Sequence, residues 1–393
     1  MDLSVVIVSY NVRDQLGQCL SSVEESGRAL RQEIFVVDNA SRDASTEMVR
    51  ERFPHVRLIS NRHNLGFARA VNQALRVSQG RYVLLLNPDT IVLDQCLPRM
   101  VEFMDQRPEC GAATCRMWLD EKREWSVSNF LTTHPWREVL LSTRVVGRAL
   151  TSRSVLEQHW RQCWQLWQTQ EPCRVEGIMG AFFLVRRMVL EQVGELDERF
   201  FMYYEDADWS RRIRQAGWDL FLHPGVGLVH HSGQSSRGLR DFLGAVGRQS
   251  QRHYLRKHFG WLRAVLVRSL IVLDASLCRL LQAAGLLQGG APGPIRPGAV
   301  LDLRDAPPCL SWTGAPEATR YLVEVGIEPL FFGGVARFVP APEALLPVAD
   351  FAKPGFQRVY WRAIPFRGDE PLTRGVCGDS GARRASGWRG LGD

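Results

Sequence analysis

The chain has 393 residues, of which 45% are hydrophobic and 23% charged. That composition excludes a largely disordered chain, and the length exceeds what one compact core usually holds, so two or three domains are expected. A formal net charge of +7 suits an anionic partner, but the arginines are dispersed and no stacking-aromatic motif accompanies them, which argues against nucleic acid.

Met1-Asp2-Leu3 runs straight into Val5-Val6-Ile7-Val8 with no basic leader and no small-residue cleavage site. It reads as a first core strand rather than a signal peptide. Between there and residue 116, short apolar runs alternate with helical stretches. The strands expected are Leu3–Val8, Ile34–Val37, Val56–Ile59, Tyr82–Leu86 and Ala112–Cys115. Tyr82–Leu86 is apolar throughout, as for a strand covered on both faces. Phe67, Val71, Ala74 and Leu75 fall on one helical face, with Asn64 placed to cap its start and Gly80 its end. Such alternation predicts an α/β fold, a mostly parallel twisted sheet with helices on both faces and ligands at the carboxyl ends of the strands.

Residues 117–175 carry six of the chain's twelve tryptophans and no clear strand. They read either as an insertion over the site or as a helical subdomain packing those rings. The sheet is expected to resume over Glu176–Val185, followed by a helix at Arg187–Val193 and a second ending before Gly217. Leu220–Leu222 and Val226–Val229 then close the sheet. The segment 248–288 is helical, Arg- and Leu-rich, and fits either an ordinary packed helical pair or a basic amphipathic element on an anionic membrane surface. It is too interrupted by charge to span: about 18 uncharged apolar residues would be needed, and Arg263, Arg268, Asp274 and Arg279 break the run.

A Gly/Pro linker at 289–302 then divides residues 1–247 and this helical segment from a period-two region at 303–372, expected as a small all-β, sandwich-like domain. The Gly/Arg/Ser-rich tail at 373–393 is expected to be disordered. The nine cysteines form no Cys-x-x-Cys pair, the usage of a reducing cytosol.

No G-x-G-x-x-G or P-loop lysine follows the first strand, so dinucleotide redox chemistry and P-loop phosphoryl transfer lose their footing. What strand ends do carry is Asp38-Asn39 and Asn87-Pro88-Asp89. Either pair alone is a good turn. Together at neighbouring strand termini, they offer a carboxylate and amides for a nucleoside, and Asp89 for a hard cation bridging a diphosphate. Further on, Phe200-Phe201-Met202-Tyr203-Tyr204-Glu205-Asp206-Ala207-Asp208 places acids at a helix start. The dipole explains Asp208, which can pair with Arg212 four residues on. It explains Asp206 less well; beside the buried face marked by Trp209, Asp206 suits a general base. His230-His231 reads as a loop pair, more often solvated than ligating, although Asp89 needs a companion ligand and a neutral imidazole fits.

These segments, with Val5–Asn11, Val36–Ser41, Asn64–Ala68, Leu84–Asp89, Gly180–Phe182, Arg211, Gly217 and His230, resemble family 2 glycosyltransferases, in particular their bacterial rhamnosyltransferase-like branch, over about residues 1–260. The resemblance implies a GT-A nucleotide-diphospho-sugar transferase fold, an inverting displacement and Mg²⁺ or Mn²⁺ as cofactor. It implies donor binding by Ser9, Asn11, Asp38, Asn39, Asn64, Asn87 and Asp89, and a metal site of Asp89 and His230. Asp206 would be the base, and Glu205 would help place the acceptor.

In this branch Asn87 replaces the first acid of the D-x-D motif, which turns it toward ribose rather than metal. The activity implied is transfer of a sugar, a rhamnose-like deoxyhexose, from a nucleoside diphosphate to a glycan or lipid-linked hydroxyl in surface-polysaccharide synthesis. The place implied is the cytoplasm, peripheral at the inner face of the plasma membrane. The region after the linker resembles a fibronectin type III-like unit. The rival reading is a non-catalytic scaffold of the same fold that binds nucleotide or glycan; retention of both Asp89 and Asp206 argues against it.

Overall fold

The structure is a computed structural model, and it describes residues 1–127, 162–231, 240–283, 299–302, 309–311, 314–326, 335–345 and 358–372. The expected tail at 373–393, most of the linker, and Trp136 and Trp160 of the Trp-rich segment lie outside the described residues.

The first half alternates as the apolar runs require. β1 (Leu3–Ser9), α1 (Arg13–Ser26), β2 (Gln32–Asp38), α2 (Ser45–Arg52), β3 (Arg57–Ser60), α3 (Phe67–Leu75) and β4 (Tyr82–Leu86) follow one another. β5 (Thr90–Val92), α4 (Cys96–Asp105) and β6 (Cys110–Trp118) come next. β1 pairs in parallel with β2 on one side and β4 on the other, and β3 pairs with β2. β9 (Phe182–Arg186) inserts antiparallel between β4 and β6, and β10 (Asp219–His230) runs parallel to β6.

Alternate side chains divide between the two faces, the geometric consequence of a two-residue period. Leu3, Val5, Ile7, Leu84 and Leu86 join α1, α2 and α4 in one core. Val6, Val83 and Leu85 join the other core with α3, α5 (Arg187–Val193) and α6 (Glu205–Gln215). Every residue of Tyr82–Leu86 is buried, so the uninterrupted apolar run is explained by cover on both sides.

Four local expectations are corrected. Asn64 does not cap α3: the cap position is Gly66, and the Asn64 Oδ1 accepts from the Gly66 N–H at 2.9 Å in a turn of its own. Gly80 does not end α3, which stops at Leu75. Gly80 instead lies against β1, where a Cβ would sit 2.5 Å from the Ser4 nitrogen. Residues 176–181 are not strand, since β9 begins at Phe182. The two closing strands are one, β10, with its register to β6 shifted between His223 and Gly227.

The basic segment begins earlier than expected. α7 spans Arg240–Ala283 and breaks at Gly260, whose φ of 80° is a left-handed value open to glycine. No helix among the described residues is long and apolar enough to cross a membrane. The last four residues of the expected linker form β11 (Ala299–Asp302).

The C-terminal strands do not stand alone. β13 (Arg320–Gly326) lies between β14 (Val335–Val339) and β16 (Arg358–Arg367). β14 pairs antiparallel with β7 (Ser126–Val127), which pairs with the end of β6. The sheet therefore continues from the first domain into the C-terminal unit. Trp125 and Leu119 share a core with Tyr321, Val323, Val325 and Trp361, and Trp164 and Trp167 pack with Leu322, Ile364 and Phe366. Trp125, Trp164 and Trp167 thus form a joint.

Candidate active site

The carboxyl ends of β1, β2 and β4 open on one edge, and the side chains singled out from sequence collect there. Ser9 ends β1 and stands opposite Asp38 in the β1–β2 register. Both are buried, and the Ser9 Oγ and Asp38 Oδ1 have no hydrogen-bond partner among the described residues. Buried oxygens are rarely left so, and here both face the end where an open α/β sheet takes its ligand. The other Asp38 oxygen accepts from the Ser41 N–H at 3.0 Å. Asn11 adopts φ 54°, accepts from the Arg42 N–H at 2.7 Å and so ties the first loop to the second.

Asn39 acts as a hub. Its N–H donates to the Ser9 carbonyl (2.8 Å), its amide donates to the Gly66 carbonyl (3.1 Å), and its Oδ1 accepts from Asn61 (3.0 Å). Gly66 has φ +85°, and a Cβ there would meet the Phe201 carbonyl at 2.5 Å. The next residue, Phe67, donates its N–H to that same carbonyl at 2.6 Å. The Asn64–Phe67 turn is thereby fastened to the segment leading into Glu205-Asp206.

That segment enters α6 through Tyr203 and Tyr204, both left-handed at φ 69° and 70°. Two consecutive non-glycine residues in that region are strained, a condition that persists only where the surroundings impose it. Asp206, half-buried, accepts from the Gly180 N–H at 3.0 Å and the Ala207 N–H at 2.8 Å. Burial pushes its pKa up, and these hydrogen bonds pull against it without reversing the rise. Glu205 is buried with one oxygen unpartnered among the described residues. Burial raises its pKa well above the usual range, and the Asp206 charge adds to that.

Ala181, next to Gly180, accepts from the Asn87 N–H at 3.1 Å. One short loop therefore ties Asp206 to the Asn87-Pro88-Asp89 turn. His230 is not in a loop, as its doublet suggested, but is the buried last residue of β10, opposite Thr90. Its Nε2 lies 3.3 Å from the Asp89 Oδ1 and 3.5 Å from the Asn87 Nδ2. The next N–H, of His231, donates to the Asp89 carbonyl at 3.0 Å. Beneath this turn the buried Cys19 thiol, its pKa pushed up to about 12 by burial, lies 3.6 Å from the Asn87 carbonyl and from the Thr90 hydroxyl.

The donor set suits a divalent cation. Two cis ligands in an octahedral shell with bonds of about 2.1 Å stand about 3 Å apart, and Asp89 Oδ1 and His230 Nε2 are 3.3 Å apart. No group of three His, Cys, Asp or Glu side chains gathers for a metal among the described residues.

Residues 4–194 match the family described as "Glycosyl transferase family 2". Those residues are a family 2 glycosyltransferase domain. The chain is 28% identical over 285 residues to the N-acetylglucosaminyl-diphospho-decaprenol L-rhamnosyltransferase of Mycobacterium tuberculosis, covering 67% of this chain and 87% of that protein. It is 22% identical to the Escherichia coli rhamnosyltransferase WbbL, over 59% of this chain and 84% of that one. Among solved structures it is similar to a Pyrobaculum calidifontis mannosyltransferase in complex with GDP-Man and Mn²⁺, at TM-score 0.40 and 17% identity, over 72% of this chain and 79% of that one. The chain is an enzyme, a glycosyltransferase, and its α/β domain has the GT-A fold.

Sequence reasoning overlooked two sets of groups in this transferase. The Gly180 and Ala181 main chain was quoted only for its resemblance. Asp197, Lys257 and His258, which brace α6 from behind, carry no local signal, because Lys257 bonds Asp197 from 60 residues away.

Proposed function

We propose that the transferase moves a rhamnose-like deoxyhexose from a nucleoside diphosphate to a hydroxyl of a glycan or lipid-linked acceptor, with inversion, in cell-surface polysaccharide synthesis. The sugar and the acceptor class rest on the names of the two rhamnosyltransferases it resembles. The observation that carries the mechanism is the 180–181 loop, which bonds both Asp206 and Asn87 and so holds a raised-pKa carboxylate beside the Asn87–Asp89 turn.

In this reading the unpartnered oxygens of Ser9 and Asp38 bind the nucleoside, and Asn11, Asn39 and Asn64 hold the loops that shape its pocket. Asn87 offers its amide to the ribose. Asp89 and His230 would hold Mg²⁺ or Mn²⁺, which when bound would offset the charge growing on the leaving diphosphate. Asp206 takes the acceptor proton as the acceptor oxygen forms its bond to the anomeric carbon. The bond from that carbon to the diphosphate oxygen breaks, and the nucleoside diphosphate leaves with the electron pair. Glu205 orients the acceptor beside Asp206. Asp206→Asn is expected to abolish transfer and leave donor affinity within about twofold; loss of both together in calorimetry and turnover would give Asp206 a structural role instead.

The same reading puts the enzyme in the cytoplasm at the inner face of the plasma membrane. Support comes from α7 beyond Gly260, where Trp261, Leu262, Leu266, Val272, Leu273 and Leu280 are exposed among Arg263, Arg268 and Arg279. For the C-terminal strands we propose a fibronectin type III-like unit that serves as a fixed wall of the enzyme, supported by the core they share with Trp125.

A further inference from the structure

We infer that the first half of α7 is the template that positions the base, with Lys257 and His258 as positioning residues. This rests on the assignment of Asp206 above. The segment that delivers Asp206 is held from one side by this helix at nearly every turn.

The Ser250 hydroxyl donates to the Met202 carbonyl at 2.8 Å, and the Gln251 amide donates to the Tyr204 hydroxyl at 3.2 Å. Tyr254, buried, packs its ring 5.5 Å from that of Tyr204. These contacts bracket the two left-handed residues, Tyr203 and Tyr204, whose strain needs an external restraint.

One turn further on, Lys257 bridges two carboxylates. Its Nζ lies 2.8 Å from Asp197 Oδ2 and 2.7 Å from Asp208 Oδ1. Asp208, two residues past Asp206 on α6, is fully buried and also bonds the His258 Nε2 at 2.6 Å and the Arg212 Nε at 2.9 Å. Asp197 additionally meets His253 at 3.2 Å and Arg199 at 2.7 Å. A carboxylate so enclosed persists as an anion only while its cations stay in place. The network therefore fixes the axial position of the first turn of α6, and with it the direction in which Asp206 points. Gly260 then breaks the helix, and beyond it Ala264 and Val267 share one small core with Leu255 before it.

The test compares full-length Lys257→Met, Lys257→Arg and Ser250→Ala with wild type and Asp206→Asn, reading kcat, donor affinity and melting temperature. Lys257→Met is expected to lower kcat at least about tenfold while donor affinity stays within about twofold, because a misaimed base costs the chemical step and not ground-state binding. Lys257→Arg restores at least about a third of the loss on a logarithmic scale, and Ser250→Ala lowers kcat by about threefold with little change in melting. Wild-type kcat in a folded Lys257→Met overturns the inference. So does a fall in kcat and donor affinity in step, without rescue by Arg. Should Lys257→Met not fold, unchanged kcat in Ser250→Ala overturns it equally. A fully active Asp206→Asn overturns the base assignment itself, a result distinct from an inactive Asp206→Asn beside an active Lys257→Met.

Discussion

Glu205 and Asp206 share the first turn of α6, and their surroundings divide their work. Asp206 is half-buried and retains two main-chain donors, whereas Glu205 is enclosed with an oxygen left over. Adjacent carboxylates titrate as a pair, and both pKa values here stand above their ordinary 3.8 and 4.5. A base must be ionised to work, so kcat should fall with acid along a limb lying above pH 3.8. The Asp206 charge raises Glu205 and not the reverse, so Glu205→Gln should leave that limb in place in a pH–rate profile; a downward shift would contradict this order of titration. Replacing Asp89 with Asn or His230 with Ala should each reduce stimulation by Mn²⁺ at least about tenfold, measured as rate against added metal. Stimulation as strong as in wild type in both variants would place the metal elsewhere.

At the scale of elements, turns and helix faces do the positioning. Gly66→Ala combines a left-handed φ with a Cβ 2.5 Å from the Phe201 carbonyl, so it should cost roughly 2 kcal/mol or more in a denaturant melt and reduce turnover by displacing the entry to α6. The α7 clamp has its own pH signature. Burial would raise Asp208, but the His258 hydrogen bond and the nearby Arg212 and Lys257 charges hold it below 3.8. Asp197 is likewise lowered, by hydrogen bonds from Arg199, Lys257 and His253 that outweigh burial. Groups lowered on folding contribute stability that is complete above the ordinary value and is lost as pH falls through the folded one. Asp197→Asn should therefore melt lower than wild type at pH 7, with the gap narrowing below about pH 3.8. A gap independent of pH would remove the ion pairs as its cause.

For the whole molecule, the continuation of the sheet through β7 and β14 matters most. Ending the chain at residue 283 would expose the Trp125 and Trp164 surfaces that now pack against β13 and β16. Such a chain should melt lower by about 5 °C or more and bind a hydrophobic dye; unchanged melting would show that the C-terminal strands do not support the first domain. The membrane contact proposed for the exposed half of α7 has a test of its own. Converting Trp261, Leu262 and Leu266 to Ser should abolish flotation with anionic vesicles and leave transfer to a soluble acceptor unchanged, because none of the three belongs to the clamp. Truncation before α7 would be a poor substitute, since it also removes Lys257 and His258.

The sequence by itself determined the alternating α/β half and the strand ends that carry Ser9, Asp38 and Asn87, because hydrophobic period and turn chemistry are local. Tyr82–Leu86 and Arg187–Val193 were legible to the residue. Local pattern failed where a partner distant in sequence decides the conformation. Asn64 looked like a helix cap but bonds its own turn, since Gly66 must pass close under Phe201. His230 looked like part of a solvated doublet until β10 paired with β5 and buried it against Asp89. The basic helix read equally as a packed pair or a membrane-surface element until Lys257 and His258 met the carboxylates of Asp197 and Asp208, 60 and 50 residues away. Only the tertiary structure decided these, because charge pairing, edge pairing and close main-chain approach depend on spatial neighbours that periodicity along one segment does not record.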